Sequence, residues 1–418
     1  MEHQLVLFED EGFVDLLPLT FWRSVFELQV GRKILMDRTS QRLGLPLAGV
    51  WTREWLARVA AHRCGAPANQ SVKPGTVLVN GRWLFDESVR FPETPAVGIA
   101  DDTIVWIVCD KKLASNLTPG DLLDPDRRKA ALTGLPEHKA TGRVIRYAWD
   151  VIGDLPNLLE QDWKESDAWI EAELDPNQRI HQRERIHIGE RSKINPTAVL
   201  DASAGPIFIS FEVEIGAYAV IEGPAYIGAQ SRVQPHSWLH GANVIGPVCR
   251  VGGEITGCVF HSYSNKAHAG FLGHSYVGSW VNLGAGSTNS NLKNTYGKVR
   301  VPINGVEVDT GQQFFGAIIA DHAKIGINAA ISTGSAIGLA AGIARTRILP
   351  KYIPSFSWVT DNAVAPGDVN RLLDVASAVM ARRNIDMTDD EVELFLDLGE
   401  RVRTFEKAPR KNGVVEPD

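Results

Sequence analysis

Cysteine is scarce in this chain. Of 418 residues only Cys64, Cys109, Cys249 and Cys258 are cysteines, and no two stand at CxxC spacing. That scatter excludes a disulfide framework or a cysteine-built zinc site and predicts reduced thiols. Also missing is any apolar run long enough to cross a bilayer. Met1 to Phe8 carries Glu2 and no Lys- or Arg-led apolar stretch, so no signal peptide is expected. A cytoplasmic location without a membrane partner is the expectation. Positive charge is in deficit too: 43 Lys and Arg stand against 50 Asp and Glu, a formal charge of -7. This argues against nucleic acid as a partner. A small anion remains allowed, because a local cluster of cations suffices to bind one.

What the chain does contain is a six-residue rhythm. An aliphatic residue recurs at Ile209, Ile215, Ile221, Ile227, Val233, Leu239, Ile245 and Val251, often followed by glycine, as in Ile215-Gly216 and Ile245-Gly246. The rule resumes at Phe271, Val277 and Leu283, and again at Ile319, Ile325, Ile331, Ile337 and Ile343. A shorter run precedes them at Ile188, Ile194 and Leu200. A half-buried strand has period two and an amphipathic helix 3.6; neither gives a lone aliphatic at every sixth position. A triangular prism does, with one short strand and one corner per hexad and the aliphatic pointing inward. Residues 252–270 and 284–318 leave the rhythm, and long departures from a rigid scaffold are where function tends to lie.

The length calls for more than one core. In the first half, Leu5–Phe8, Thr76–Asn80 and Ile104–Cys109 read as strands, with helical pattern between them as at Glu54–Arg63. This alternation suggests an α/β sheet. Four segments are therefore expected: an α/β domain over 1–160; a β-helix over 180–358, reached through an acidic helical connection at Leu158–Leu174; a helical extension over 366–407; and a disordered tail from 408. In the extension, residues 368–383 are helical in pattern. Thr388 with Glu391 announces a second helix as a capping box, its apolar face at Val392, Phe395, Leu396, Val402 and Phe405.

The run Ser264-Asn265-Lys266-Ala267-His268-Ala269-Gly270-Phe271-Leu272-Gly273, with Val281-Asn282-Leu283-Gly284-Ala285-Gly286-Ser287 and Ser290-Asn291-Leu292, resembles a known family. It is similar to the acetyltransferase half of the bifunctional N-acetylglucosamine-1-phosphate uridylyltransferase/glucosamine-1-phosphate acetyltransferase. It looks closest to a branch of sugar nucleotidyltransferases, which Leu16-Leu17-Pro18-Leu19-Thr20 and Val77-Leu78-Val79-Asn80-Gly81-Arg82 also match. The resemblance implies a Rossmann-like nucleotidyltransferase sheet followed by a left-handed parallel β-helix of hexapeptide repeats. It also implies a homotrimer, acetyl-CoA as cosubstrate and an amino-sugar phosphate as acceptor. By the same resemblance His268 is the catalytic base, and Lys266, Asn282 and Asn291 bind substrate. Lys298 and Arg300 follow as anion ligands, Ala285 as a cofactor contact, and Arg345, Arg347 and Lys351 as candidates for the CoA phosphates. Phe271 and Leu292 stand where the bifunctional enzymes have tyrosines, which leaves the sugar open. The chemistry agrees with these roles. An amine attacking a thioester needs a proton acceptor of near-neutral pKa, amide donors for the oxyanion, and cations for a phosphate.

Sugar nucleotidyltransferases of this type cradle a triphosphate in a glycine-rich loop after the first strand. Here that stretch is Glu9-Asp10-Glu11-Gly12-Phe13. The lysine of the family falls near Val25, with Arg23 and Arg32 as substitutes, and the magnesium-binding Gly-Asp becomes Gly81-Arg82. Nucleotidyl transfer is expected to be lost or altered, and magnesium is needed only if it is retained. Three other readings stay open: an active bifunctional enzyme, a non-catalytic sugar-nucleotide-binding scaffold, and a zinc hydratase using His261, His268 and His274.

Overall fold

The computed structural model describes residues 3–85, 89–164 and 168–407. Two compact units result: one from residues 1–28, 33–147 and 388–418, the other from 29–32 and 148–387. The two C-terminal helices, Val369–Ala381 and Asp389–Lys407, fall into different units. The helix Ala148–Lys164 falls with the second. The tail expected to be disordered, 408–418, lies outside the described residues.

The first unit is built on a six-stranded sheet in the order Leu47–Trp51, Gln4–Phe8, Thr76–Asn80, Thr103–Val108, Ala96–Ala100, Glu137–Lys139. The first three strands are mutually parallel; Thr103–Val108 runs antiparallel to both its neighbours. Leu5 to Phe8 is a continuous apolar run because the strand lies inside the sheet, between Leu47–Trp51 and Thr76–Asn80, and is buried on both faces. The expected α/β sheet is present. The ends of its central strands bring Glu9 and Asp10 beside Gly81 and Arg82.

The second unit is the expected left-handed parallel β-helix of hexapeptide type. One face stacks nine short strands from Ile186–Ile188 to Tyr352–Ile353, and another begins at Lys193–Ile194. The third stacks six, from Arg179–His181 to Phe271–Gly273. From coil to coil the strands pair in parallel, in register, as Ile188 on Ile209, Ile209 on Ile227 and Ile227 on Ile245; the antiparallel pair Ser357–Thr360 with Val364–Pro366 ends one face. The rhythmic aliphatics fill the prism, Ile209 through Val251 being at most 3% exposed.

One corner recurs with a left-handed residue in each coil: Gln230, Val248, Tyr263, Trp280, His322 and Ala340, all with φ between 53° and 62°. Only a repeated constraint holds so many non-glycine residues there. Each donates its N–H to the carbonyl just before the matching corner of the preceding coil, as Val248 to Ala229 and Trp280 to Ser262. The rings of Tyr263 and Trp280 stack along this ridge at 4.2 Å.

Residues 252–270 correct the sequence reading. They stay in the coil with a shortened stride: Glu254–Thr256, Val259–Phe260 and Asn265–Lys266 pair in turn with the coil before. The inward residues are Ile255, Phe260 and Lys266, and the next is Leu272 rather than Phe271, which is half-exposed. Steps of four and five residues hid this from a six-residue template. The second departure is real but later. Asn289 still occupies a buried rung, and the chain leaves the coil between it and Ala317, forming the hairpin Arg300–Ile303 with Val306–Asp309.

Candidate active site

His268 rides on a turn clamped from both sides along the prism axis. Below it lie Gly252 and Gly253. A Cβ on Gly252 would come within 2.6 Å of the Ala267 carbonyl, and one on Gly253 within 3.1 Å of the His268 carbonyl. Above it Gly286 donates to the Ala269 carbonyl at 3.1 Å. Gly270 closes the turn at φ +132°, where a Cβ would stand 2.1 Å from the Ser287 carbonyl. From inside the prism, Lys266 Nζ donates to the carbonyls of Gly252 (3.0 Å) and His268 (2.6 Å). Burial pulls the Lys266 ammonium down to about 8.

The imidazole itself is exposed and has no hydrogen-bond partner among the described residues. It lines a cleft of about 450 Å³ together with Asn282, Gly284, Ala285 and Ile327 on later coils, Arg250, Tyr263 and Asn265 on earlier ones, and Val379, Arg382 and Arg383 from the helix Val369–Ala381 and its C-terminal end. Arg250, Asn265 and Asn282 are successive outward rungs of one face, so the pleat itself aims them into the cleft. Asn282 is exposed and so is not a rung of the prism interior. The Ala285 N–H, in the same cleft, makes no hydrogen bond among the described residues.

The structure thus gathers His268, Asn282 and Ala285, and it separates the other candidates. Lys266 is 2% exposed, and its ammonium is spent on backbone carbonyls within the coil instead of facing solvent. Asn291 donates its amide to His274 Nδ1 at 2.8 Å, which makes that nitrogen an acceptor on a neutral ring. Burial, then the neighbouring His240, lowers the His274 pKa. Lys298 and Arg300 are exposed on the excursion and do not line the cleft. Nor do Arg345, Arg347 and Lys351, of which Lys351 pairs with Glu307 at 3.0 Å. Among the described residues no group of three or more His, Cys, Asp or Glu side chains is placed to hold a metal. His261 bonds instead with Ser279 and His274 with Asn291. Sequence reasoning missed Arg250, Asn265, Arg382 and Arg383. The only available signal was an Arg-Arg pair closing a helical pattern, which by itself suits any helix C-terminus.

In the first unit the three acidic residues after the central strand are each paired with an arginine. Arg53 grips Glu9 through Nε and Nη2, both at 3.1 Å. Arg128 holds Glu11. Arg82 forms a two-pronged bridge to Asp10, Nε to Oδ1 at 2.8 Å and Nη2 to Oδ2 at 2.7 Å, with Asn80 donating to the same carboxylate. Both partners are buried. Burial alone would raise the Asp10 pKa, but the Arg82 guanidinium outweighs it and holds the carboxyl below its usual range. The guanidinium also fills the space over Gly12, where a Cβ would meet it at 2.1 Å. This donor set does not fit magnesium: both Asp10 oxygens are taken by cationic or amide donors, and a further cation would oppose Arg82.

Residues 5–167 match the family model described as sugar nucleotidyl transferase. The Bifunctional protein GlmU of Rippkaea orientalis is 32% identical over 138 residues, 32% of this chain and 29% of that protein. The GlmU of Acaryochloris marina is 28% identical over 280 residues, 64% of this chain and 56% of that protein. A bifunctional sugar-1-phosphate nucleotidylyltransferase/acetyltransferase of Sulfurisphaera tokodaii is 33% identical over 141 residues, 33% of this chain and 35% of that protein. The chain thus spans between about a third and just over half of the length of these curated relatives. Among solved structures, UDP-N-acetylglucosamine acyltransferase from Campylobacter jejuni covers 57% of this chain and 86% of its own at 13% identity, with a TM-score of 0.23. A sugar nucleotidyl transferase segment at 5–167, with a hexapeptide β-helix after it, makes the chain similar to the bifunctional nucleotidylyltransferase/acetyltransferase proteins.

Proposed function

We propose that the chain is an acetyl-CoA-dependent N-acetyltransferase acting on an amino-sugar phosphate, with His268 as the general base. The reading rests on one observation: an exposed imidazole on a turn rigidly clamped between glycines, opening into a cleft that also holds Asn282 and the Ala285 N–H, with neither the imidazole nor that N–H partnered among the described residues. The acceptor amine attacks the thioester carbonyl carbon and forms the C–N bond. His268 takes the proton the amine loses, the Asn282 amide and Ala285 N–H donate to the developing oxyanion, and the C–S bond breaks to expel the CoA thiolate, which takes that proton from His268 and leaves as the thiol. Positioning and donors supply the catalysis.

The first unit is read as a nucleotidyltransferase-like module that no longer transfers nucleotides. Its carboxylates are neutralised internally by Arg53, Arg82 and Arg128, which leaves nothing for magnesium and sets buried acids where a triphosphate would need donors. A cytoplasmic homotrimer completes the reading; no helix of the described residues is long and apolar enough to cross a membrane. The decisive experiment incubates full-length protein with acetyl-CoA and glucosamine 1-phosphate, following thiol release and product mass, beside His268→Ala. Turnover should fall by a factor of at least about 10² in the variant with no change in melting temperature. Equal rates would remove His268 as the base. Robust magnesium-dependent turnover of sugar 1-phosphates with nucleoside triphosphates would overturn the account of the first unit.

A further inference from the structure

We infer that Arg250, Arg382 and Arg383 form a phosphate-binding site on the wall of the His268 cleft, taking a ligand with a phosphate dianion or a diphosphate. All three line the same cleft, although they come from elements far apart in sequence. Arg250 is an outward rung of the coil, and the other two follow directly on the helix Val369–Ala381.

That helix is fixed onto the coil by packing. The missing side chain at Gly342 leaves room for the ring of Trp358, with Leu372 of the helix beside it, and Ala376 and Met380 are buried. Arg383 is held in place by Asn265, whose Oδ1 accepts from Nη2 at 2.9 Å. Neither Arg250 nor Arg382 has an acidic partner among the described residues. Glu214, the carboxylate whose charge reaches Arg250, is bonded to Arg232 at 3.2 Å.

Three guanidiniums therefore crowd one wall without a neutralising carboxylate among the described residues. Burial lowers the Arg250 pKa, and Arg232 and Arg382 lower it further; burial and then Arg250 do the same to Arg383. An arginine at a helix C-terminus is ordinary, since the helix dipole favours it. A third arginine brought to the same cleft by a different element is not accounted for by that dipole. Planar donor forks converging on a cleft match phosphate oxygens in geometry as well as charge.

Two ligands of the proposed reaction carry this chemistry: the acceptor's phosphate and the phosphates of CoA. The inference rests on the cleft being the substrate site, so its test reads binding rather than turnover. Calorimetric titration of full-length protein uses inorganic pyrophosphate, glucosamine 1-phosphate, glucosamine, CoA and dephospho-CoA. The variants are Arg250→Gln, Arg383→Gln and Arg382→Gln, the last exposed and so harmless to folding. Pyrophosphate affinity should fall at least tenfold in each. A matching fall for glucosamine 1-phosphate assigns the site to the acceptor, and a fall for CoA beyond that for dephospho-CoA assigns it to the 3′-phosphate. Unchanged affinities in Arg382→Gln, or no pyrophosphate binding by the unaltered protein, overturn the inference. Phosphate binding without acetyl transfer would instead end the proposed activity and leave this site standing.

Discussion

Lys266→Met offers the sharpest test of the claim that an ammonium lies inside the prism. At this rung every coil but one places an aliphatic, and Lys266 stacks between Val251 and the coil of Leu283. Its pKa falls from 10.5 to about 8 through burial. At 1.36 kcal/mol per pH unit that fall corresponds to about 3 kcal/mol. The sign follows from proton counting. Between pH 8 and 10.5 the unfolded chain holds a proton on this lysine and the folded chain does not, so folded-state stability rises with pH across that window. Below pH 8 both states are charged and the full cost of burying the ammonium applies. Methionine has neither the charge nor the titration. The stability of Lys266→Met relative to the unaltered protein should therefore drop by about 3 kcal/mol as pH rises from about 7 to 10.5. Loss of the two carbonyl contacts shifts this difference by a constant at low pH. Denaturant unfolding at half-unit pH steps, on both proteins, measures it. A difference that stays flat over the whole range refutes the placement of the ammonium.

Four further outcomes are expected. Arg82→Ala leaves Asp10 charged and buried without its partner, and should cost about 3–5 kcal/mol; chemical denaturation reads it, and adding Asp10→Asn should recover part of the loss. Gly270→Ala forces a left-handed strain worth about 1–3 kcal/mol and drives a methyl at the Ser287 carbonyl, so acetyl transfer should fall with the melting temperature. All four cysteines are buried, and burial pushes the thiols of Cys109, Cys249 and Cys258 up to about 12; an aromatic disulfide reagent should therefore label none in the native protein and all in denaturant. Asn291→Ala removes the amide that holds His274 Nδ1 but lies off the cleft, so it should change turnover less than twofold while Asn282→Ala lowers it at least tenfold.

The prism was legible because its constraint is repeated: an inward aliphatic every six residues leaves a trace no other fold leaves. Its irregular coils were not. Where the stride shrinks to four and five residues, between Val251 and Phe260, the template fails. A lysine then takes an inward rung that a polarity rule assigns to solvent. His268, Asn282 and Ala285, which line one cleft, could be nominated together because their motif sits on contiguous coils. Arg382 and Arg383 could not be, because their relation to His268 is created by a helix folding back on the coil more than a hundred residues later. In the first unit Gly81-Arg82 was visible only as a cation where the resemblance would place a metal ligand. That Arg82 reaches Asp10 across the sheet was not, since pairing over 72 residues has no local signature.

A column in which each coil touches only the coils next to it opens most easily from its ends, where a rung has one neighbour instead of two. The cleft is walled by rungs at Arg250, Asn265 and Asn282, with several coils on either side. Fraying at either tip must therefore travel through intact turns before it reaches the imidazole. Amide protons of the hydrogen-bonded rungs that wall the cleft, those of Asn265 and Asn282, should outlast those near residues 190 and 355 in exchange, so that the proposed chemistry is anchored in the slowest-breathing part of the shaft.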